Sequence, residues 1–282
     1  MRLAVLAALA SSSSVALAAE PIVLTPSADA EVREVNARQR RGDPAGGEGR
    51  WHTELGVRSN ENKFVYLDFD LVPLAGKRIA SADLHLFVRD GTWPVRGGGL
   101  RIYAFNDAPQ WDERKIFYRD LAAHDNAEPK RNLTHPDNAP GLSADHMVNW
   151  SPPPSHLPID DVDTFDVRAD RVTLLGYLNF DPATPERPAP KAGDALVFTT
   201  NLSEAGKPEN AKNKAALVAH LNAAIEKKAS RVTLLVTSKY DGDPAPVARA
   251  NMVLASKEFD PDDAGPLPPG AWAPRLIVEA AE

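Results

Sequence analysis

Residues 62–113 alternate apolar and polar side chains in three successive runs, and that period predicts the fold class. In NKFVYLDFDL, Val65, Leu67, Phe69 and Leu71 fall on one face, and Phe64, Tyr66, Asp68 and Asp70 fall on the other. In ASADLHLFV, Ala82, Leu84, Leu86 and Val88 oppose Asp83, His85 and Phe87. GGGLRIYAF follows, and WDE closes the block. A period of two means strands with one face buried and one face free. Pro73, Gly76, Gly91 and the triplet Gly97 to Gly99 separate the runs as turn signals.

Further strands are expected at 22–35, 164–169, 172–180, 194–200, 231–238, 250–259 and 274–280. One stretch breaks the period. In residues 208–228, Leu217, Leu221 and Ile225 recur every four residues, with Val218 and Ala224 beside them. Pro208 and Glu209 suit a helix start, and Lys227 and Lys228 suit its end. The expectation is an all-β chain: an antiparallel β-sandwich of the jelly-roll kind, with one inserted amphipathic helix and long Pro-rich loops. Residues 19–282 form its single domain, with insertions at about 119–162 and 181–229.

The first 18 residues read as a secretory leader. Arg2 is the charged start, Leu3 to Ala10 are apolar, and Ala16-Leu17-Ala18 fits the small-x-small cleavage rule. The apolar stretch is too short to span a bilayer, and no other segment is apolar enough. The expected location is secreted, periplasmic or extracellular. The chain has no cysteine, which excludes disulfides and thiolate chemistry. Its formal net charge is −7, which argues against nucleic acid as a partner.

The order SADAEVRE, LGVRS, KFVYLDFDL, IASADLHLFV, RIYAF, WDERKIFY, NMVLASKEF and APRLIVE resembles the DNRLRE domain, also called carbohydrate-binding module family 96. The likeness covers most of residues 25–120 and 230–280. It implies a secreted β-jelly roll that binds acidic polysaccharide such as alginate, often beside polysaccharide-degrading enzymes. Such domains commonly carry a basic residue between the positions of Leu67 and Phe69, where this chain has Asp68. That departure argues against an acidic ligand. No catalytic module is read beside the domain, so the protein is expected either to work alone or to act beside separately encoded enzymes.

Sandwich lectins often bind sugar on one sheet face, and here Tyr66, Asp68, His85, Arg101 and Tyr103 are the candidate ligand-binding residues. The alternative is that the insertion or the helix covers this face. Trp111 is expected in the core, while Trp51, Trp93, Trp150 and Trp272 lie beside loops. His124, His135, His146 and His156 fall in one insertion at spacings that match no metal motif. No cofactor is assigned. A structural calcium ion stays open, with Asp241, Asp243, Asp260, Asp262 and Asp263 in turns. No GxSxG, P-loop or dinucleotide fingerprint is present. The expected function is therefore non-catalytic polysaccharide binding. One alternative is a polysaccharide lyase using Tyr66, His85 and Arg101 on adjacent strands, and the other is a structural or adhesive surface protein.

Overall fold

The computed structural model describes residues 20–33, 54–58, 63–92, 98–107, 111, 113, 148–150, 165–167, 172–181, 184–186, 188–240, 251–259 and 270–281. Their strands are β1 (Ile22–Leu24), β2 (Pro26–Arg33), β3 (Glu54–Arg58), β4 (Lys63–Asp70), β5 (Ile79–Thr92) and β6 (Gly98–Phe105). Then come β7 (Val148–Trp150), β8 (Phe165–Val167), β9 (Val172–Phe180), β10 (Ala195–Val197), β11 (Arg231–Tyr240), β12 (Asn251–Ala255) and β13 (Arg275–Ala280). The one α-helix among the described residues is α1 (Asn210–Glu226). None of their helices is long and apolar enough to cross a membrane.

Two antiparallel sheets result. One has five strands in the order β2-β4-β11-β6-β9. The other has six, in the order β1-β13-β5-β12-β3 with β10 also on β5. β7 and β8 form a separate pair. The apolar sets read from alternation all enter one core. Val65, Leu67 and Phe69 of β4 join Val232, Leu234 and Val236 of β11 and Leu100 and Ile102 of β6. Ala82, Leu84, Leu86 and Val88 of β5 join the same cluster from the six-stranded sheet, with Leu276 and Val278 of β13.

The helix lies inside the span 208–228 that its four-residue period predicted, and it is part of this core. Leu217 and Leu221 are fully buried there, as are Leu196 and Phe198 just upstream. Leu196, Phe198, Leu217 and Leu221, all within the stretch 181–229 read from sequence as an insertion, thus belong to the core. Two asparagines dock the helix where sheet edges leave main-chain groups unpaired. Asn222 Nδ2 donates to the Ile79 carbonyl at 3.0 Å, and its Oδ1 accepts from the Ile79 N–H at 2.8 Å, as a neighbouring strand would. Buried Asn213 donates from Nδ2 to the carbonyls of Tyr177 at 2.7 Å and Phe198 at 3.1 Å. Gly176 makes room for it: its φ is 148°, and a Cβ there would collide with Asn213 Oδ1. The helix ends in a left-handed turn. Lys228 has φ 57°, its N–H bonds the Ile225 carbonyl, and the Ala229 N–H bonds the Ala224 carbonyl.

Core truncation should be costly and surface truncation should not. Leu234→Ala, on a fully buried β11 position, should lose about 2–5 kcal/mol through the cavity left behind. Leu174→Ala, 39 % exposed on β9, should stay within about 0.5–1 kcal/mol. Urea-denaturation midpoints at unchanged slope check both.

Candidate functional site

The five-stranded sheet places four of the five expected ligand residues on one face. Across β11, Tyr66 and Tyr103 both sit opposite Leu235, while Asp68 faces Thr233 and Arg101 faces Thr237. This is the face opposite the core, as alternation predicts. The face is not open, however. Tyr66 is 0 %, Asp68 1 %, Tyr103 4 % and Arg101 6 % exposed. Of the two readings, an open face and a covered one, the covered one is met at these four positions: they lie in a second buried layer. Trp111 is buried as expected, but in this layer. Its ring meets Tyr66 edge-on with centroids 6.0 Å apart, and Phe105 lies 6.0 Å from Tyr66 on another side. Trp111 Nε1 donates to Thr233 Oγ1 at 3.4 Å. Burial pushes the Tyr66 phenol far above its usual value, and its hydroxyl has no hydrogen-bond partner among the described residues.

Asp68 is the polar centre of that layer. Its Oδ1 accepts from Thr233 Oγ1 at 2.8 Å, and its Oδ2 accepts from Ser27 Oγ at 3.0 Å and Arg231 Nη1 at 3.0 Å. Burial raises its pKa, while Thr233, Arg231 and Ser27 pull the other way. Arg231 is thereby fixed by a buried carboxylate with its side chain still 30 % exposed.

Arg231 borders a cavity of about 520 Å³ between the end of this sheet and the last turns of α1. Phe105, Ala223, Ala224 and Val232 form apolar walls, and Asn106, Thr173, His220, Lys227 and Arg231 bring polar groups to it. Thr173 donates to Asn106 Oδ1 at 2.6 Å, which orients the amide. Mostly apolar walls with a few fixed polar groups are the usual make-up of a small-molecule site.

His85, the fifth expected residue, is on β5 of the other sheet. It does not meet Tyr66 or Arg101, and those two are themselves separated by β11. The adjacent-strand arrangement of Tyr66, His85 and Arg101 is therefore not formed. The outward row of β5 is half-buried: Asp83, His85, Phe87 and Arg89 alternate with core residues. The Arg275 guanidinium lies 5.3 Å above the Phe87 ring, Arg89 lies 4.9 Å above Phe259, and Phe259 packs on Trp272 at 5.4 Å. Asp83 accepts from the Thr199 hydroxyl.

A fourth grouping escaped the sequence reading. Asp29 of β2, Glu113, and Lys257 and Glu258 after β12 converge. Lys257 Nζ donates to Glu113 Oε2 at 2.5 Å and also pairs with Glu258, while the Lys257 main-chain N–H donates to Asp29 Oδ2 at 2.7 Å. The Asp29 N–H donates to Glu113 Oε2 at 3.1 Å. Burial, reinforced by Glu258, drives the Asp29 pKa up. The signal was present in the chain, because SADA, WDE and SKE each put acids beside small or apolar residues. Their convergence had no local marker.

No family model and no curated protein matches the chain. His124, His135, His146 and His156, the acids Asp241, Asp243, Asp260, Asp262 and Asp263, the leader segment 1–18, and Trp51 and Trp93 lie outside the described residues. So does nearly all of 119–162, apart from β7.

Two outcomes follow from these environments. Tyr66→Phe deletes a buried hydroxyl with no partner among the described residues and should gain about 1 kcal/mol, whereas Tyr66→Ala should lose about 3–5 kcal/mol. A loss of about 1 kcal/mol for Tyr66→Phe in place of the gain would show that the hydroxyl is bonded. The pKa of His85 and of His220 is held below 6.5, chiefly by burial. The unfolded chain therefore protonates these rings first. Their contribution to stability is full above about pH 6.5 and falls as pH drops below it. His220→Asn should flatten part of that slope in a pH series of denaturation midpoints.

Proposed function

We propose that this chain is a secreted, non-catalytic carbohydrate-binding protein on a β-jelly roll of the DNRLRE kind. Its sugar site is then the cavity beside α1, not the sheet face that alternation singled out. The observation that carries this reading is the make-up of the cavity: apolar walls suited to the C–H face of a sugar ring, and an orienting rim of Asn106, Thr173, His220, Lys227 and Arg231. In this reading Asp68 never touches ligand. It positions Arg231 through the 3.0 Å pair and so limits the rotamers lost on binding. Polysaccharide is the partner.

A second reading places the ligand on the outward row of β5, where Phe87, His85 and Arg275 combine an aromatic ring, an imidazole and a guanidinium in half-exposed positions. The lyase alternative finds no support in a sealed Tyr66 and a His85 on the opposite sheet.

Retention of the chain by a panel of soluble and insoluble polysaccharides tests these readings. At least one polymer should retain the wild type, with no unsaturated product accumulating. His220→Ala and Lys227→Ala should each weaken retention severalfold with the melting temperature nearly unchanged. Loss of retention in Phe87→Ala instead, with both cavity variants binding normally, moves the site to β5. No retention on any polymer overturns the binding function in favour of a scaffold role, and growing ultraviolet absorbance from unsaturated uronate converts it to a lyase.

A further inference from the structure

The grouping around Lys257 carries an inference independent of the sugar reading. One carboxylate oxygen each from Asp29, Glu113 and Glu258 lies within 4.8 Å of the other two. Oxygens around a calcium ion sit at about 2.3–2.6 Å, so opposite ligands are up to roughly 5 Å apart. Magnesium, at about 2.0–2.1 Å, demands near-ideal octahedral geometry and gives up its waters reluctantly, so three protein carboxylates favour the larger ion. The second observation concerns Asp29 itself. It is 2 % exposed, its carboxylate groups with the other two, and its Oδ1 has no hydrogen-bond partner among the described residues. A buried carboxylate oxygen without a donor is costly unless a cation or donor reaches it.

Lys257 supplies one positive charge against three carboxylates. Its Nζ donates to Glu113 and Glu258, and its main-chain N–H donates to Asp29. The ammonium sits on a flexible stem whose side chain is 19 % exposed. It can swing toward solvent while its N–H keeps Asp29 Oδ2 in place. Glu258 is the most exposed of the three carboxylates, with its side chain at 33 % exposure.

We propose that Asp29, Glu113 and Glu258 form a binding site for a divalent cation of calcium size, for which the Lys257 ammonium competes. Binding there ties β2 of one sheet to the turn after β12 of the other.

The test is thermal unfolding of the full chain, stripped with chelator and titrated with calcium chloride to about 10 mM at constant ionic strength. Calcium binding is followed in parallel by calorimetry. Wild type should melt higher with calcium and less so with equal magnesium. Lys257→Met removes the competitor and should bind calcium on the order of tenfold more tightly, as expected when one neighbouring positive charge is deleted. Asp29→Asn should lose the calcium response, and Glu258→Gln, the exposed ligand, should weaken it if Asp29→Asn fails to fold. Absence of calcium binding in both wild type and Lys257→Met overturns the site and leaves Lys257 as its permanent cation. Equal responses to calcium, magnesium and matched sodium also overturn it.

Discussion

The structure depends on one constraint: both faces of the five-stranded sheet are shut at its centre, along β4, β11 and β6. β11 is its centre, and Val232, Thr233, Leu234, Leu235 and Val236 are all buried in succession. The inner face is simple, since aliphatic side chains meet the opposing sheet. The outer face carries Asp68, Thr233 and Arg231 into a layer that water does not reach freely. An isolated carboxylate there would be prohibitive, and the hydroxyls of Ser27 and Thr233 with the Arg231 guanidinium make it tolerable. Trp111 closes the layer and gives its indole N–H to the same Thr233 that serves Asp68. The polar network and the aromatic cover are thus parts of one arrangement.

That arrangement has a consequence at the sheet end. Arg231 is anchored from the buried side and borders the cavity from the other. The helix supplies the facing wall, and it stands there because Asn222 and Asn213 pair with main-chain groups of β5 and β9. Amides rather than charges suit these places, since a neutral donor and acceptor satisfy strand-edge groups without the desolvation cost of an ion. The cavity is a product of two docking events, one electrostatic and one by amide pairing.

The charged group at Lys257 differs in kind. It joins residues 29, 113, 257 and 258, which belong to three distant stretches of chain, and it links the two sheets outside their common core. Interactions of this sort form only after the sheets are assembled. They add little to the choice of fold, but they fix how one sheet edge is held against the other.

The chain by itself determined which side of each strand is apolar. Val65, Leu67 and Phe69, and Ala82, Leu84 and Leu86, face the core because period-two alternation leaves only one apolar side to bury. It also determined the helix, whose four-residue repeat ends at two lysines in a left-handed turn. Exposure of the other side was beyond it. Tyr66-x-Asp68 and His85-x-Phe87 look alike as polar-face pairs, yet the first is sealed by Trp111 and its surroundings while the second is half open. Alternation reports which residues share a face, and only tertiary packing decides what lies against it. The same reason hid the cavity and the Asp29–Glu113–Glu258 grouping. Their members are far apart in sequence and carry no local periodicity, so their chemistry exists only once β2, β11, β12 and α1 have come together.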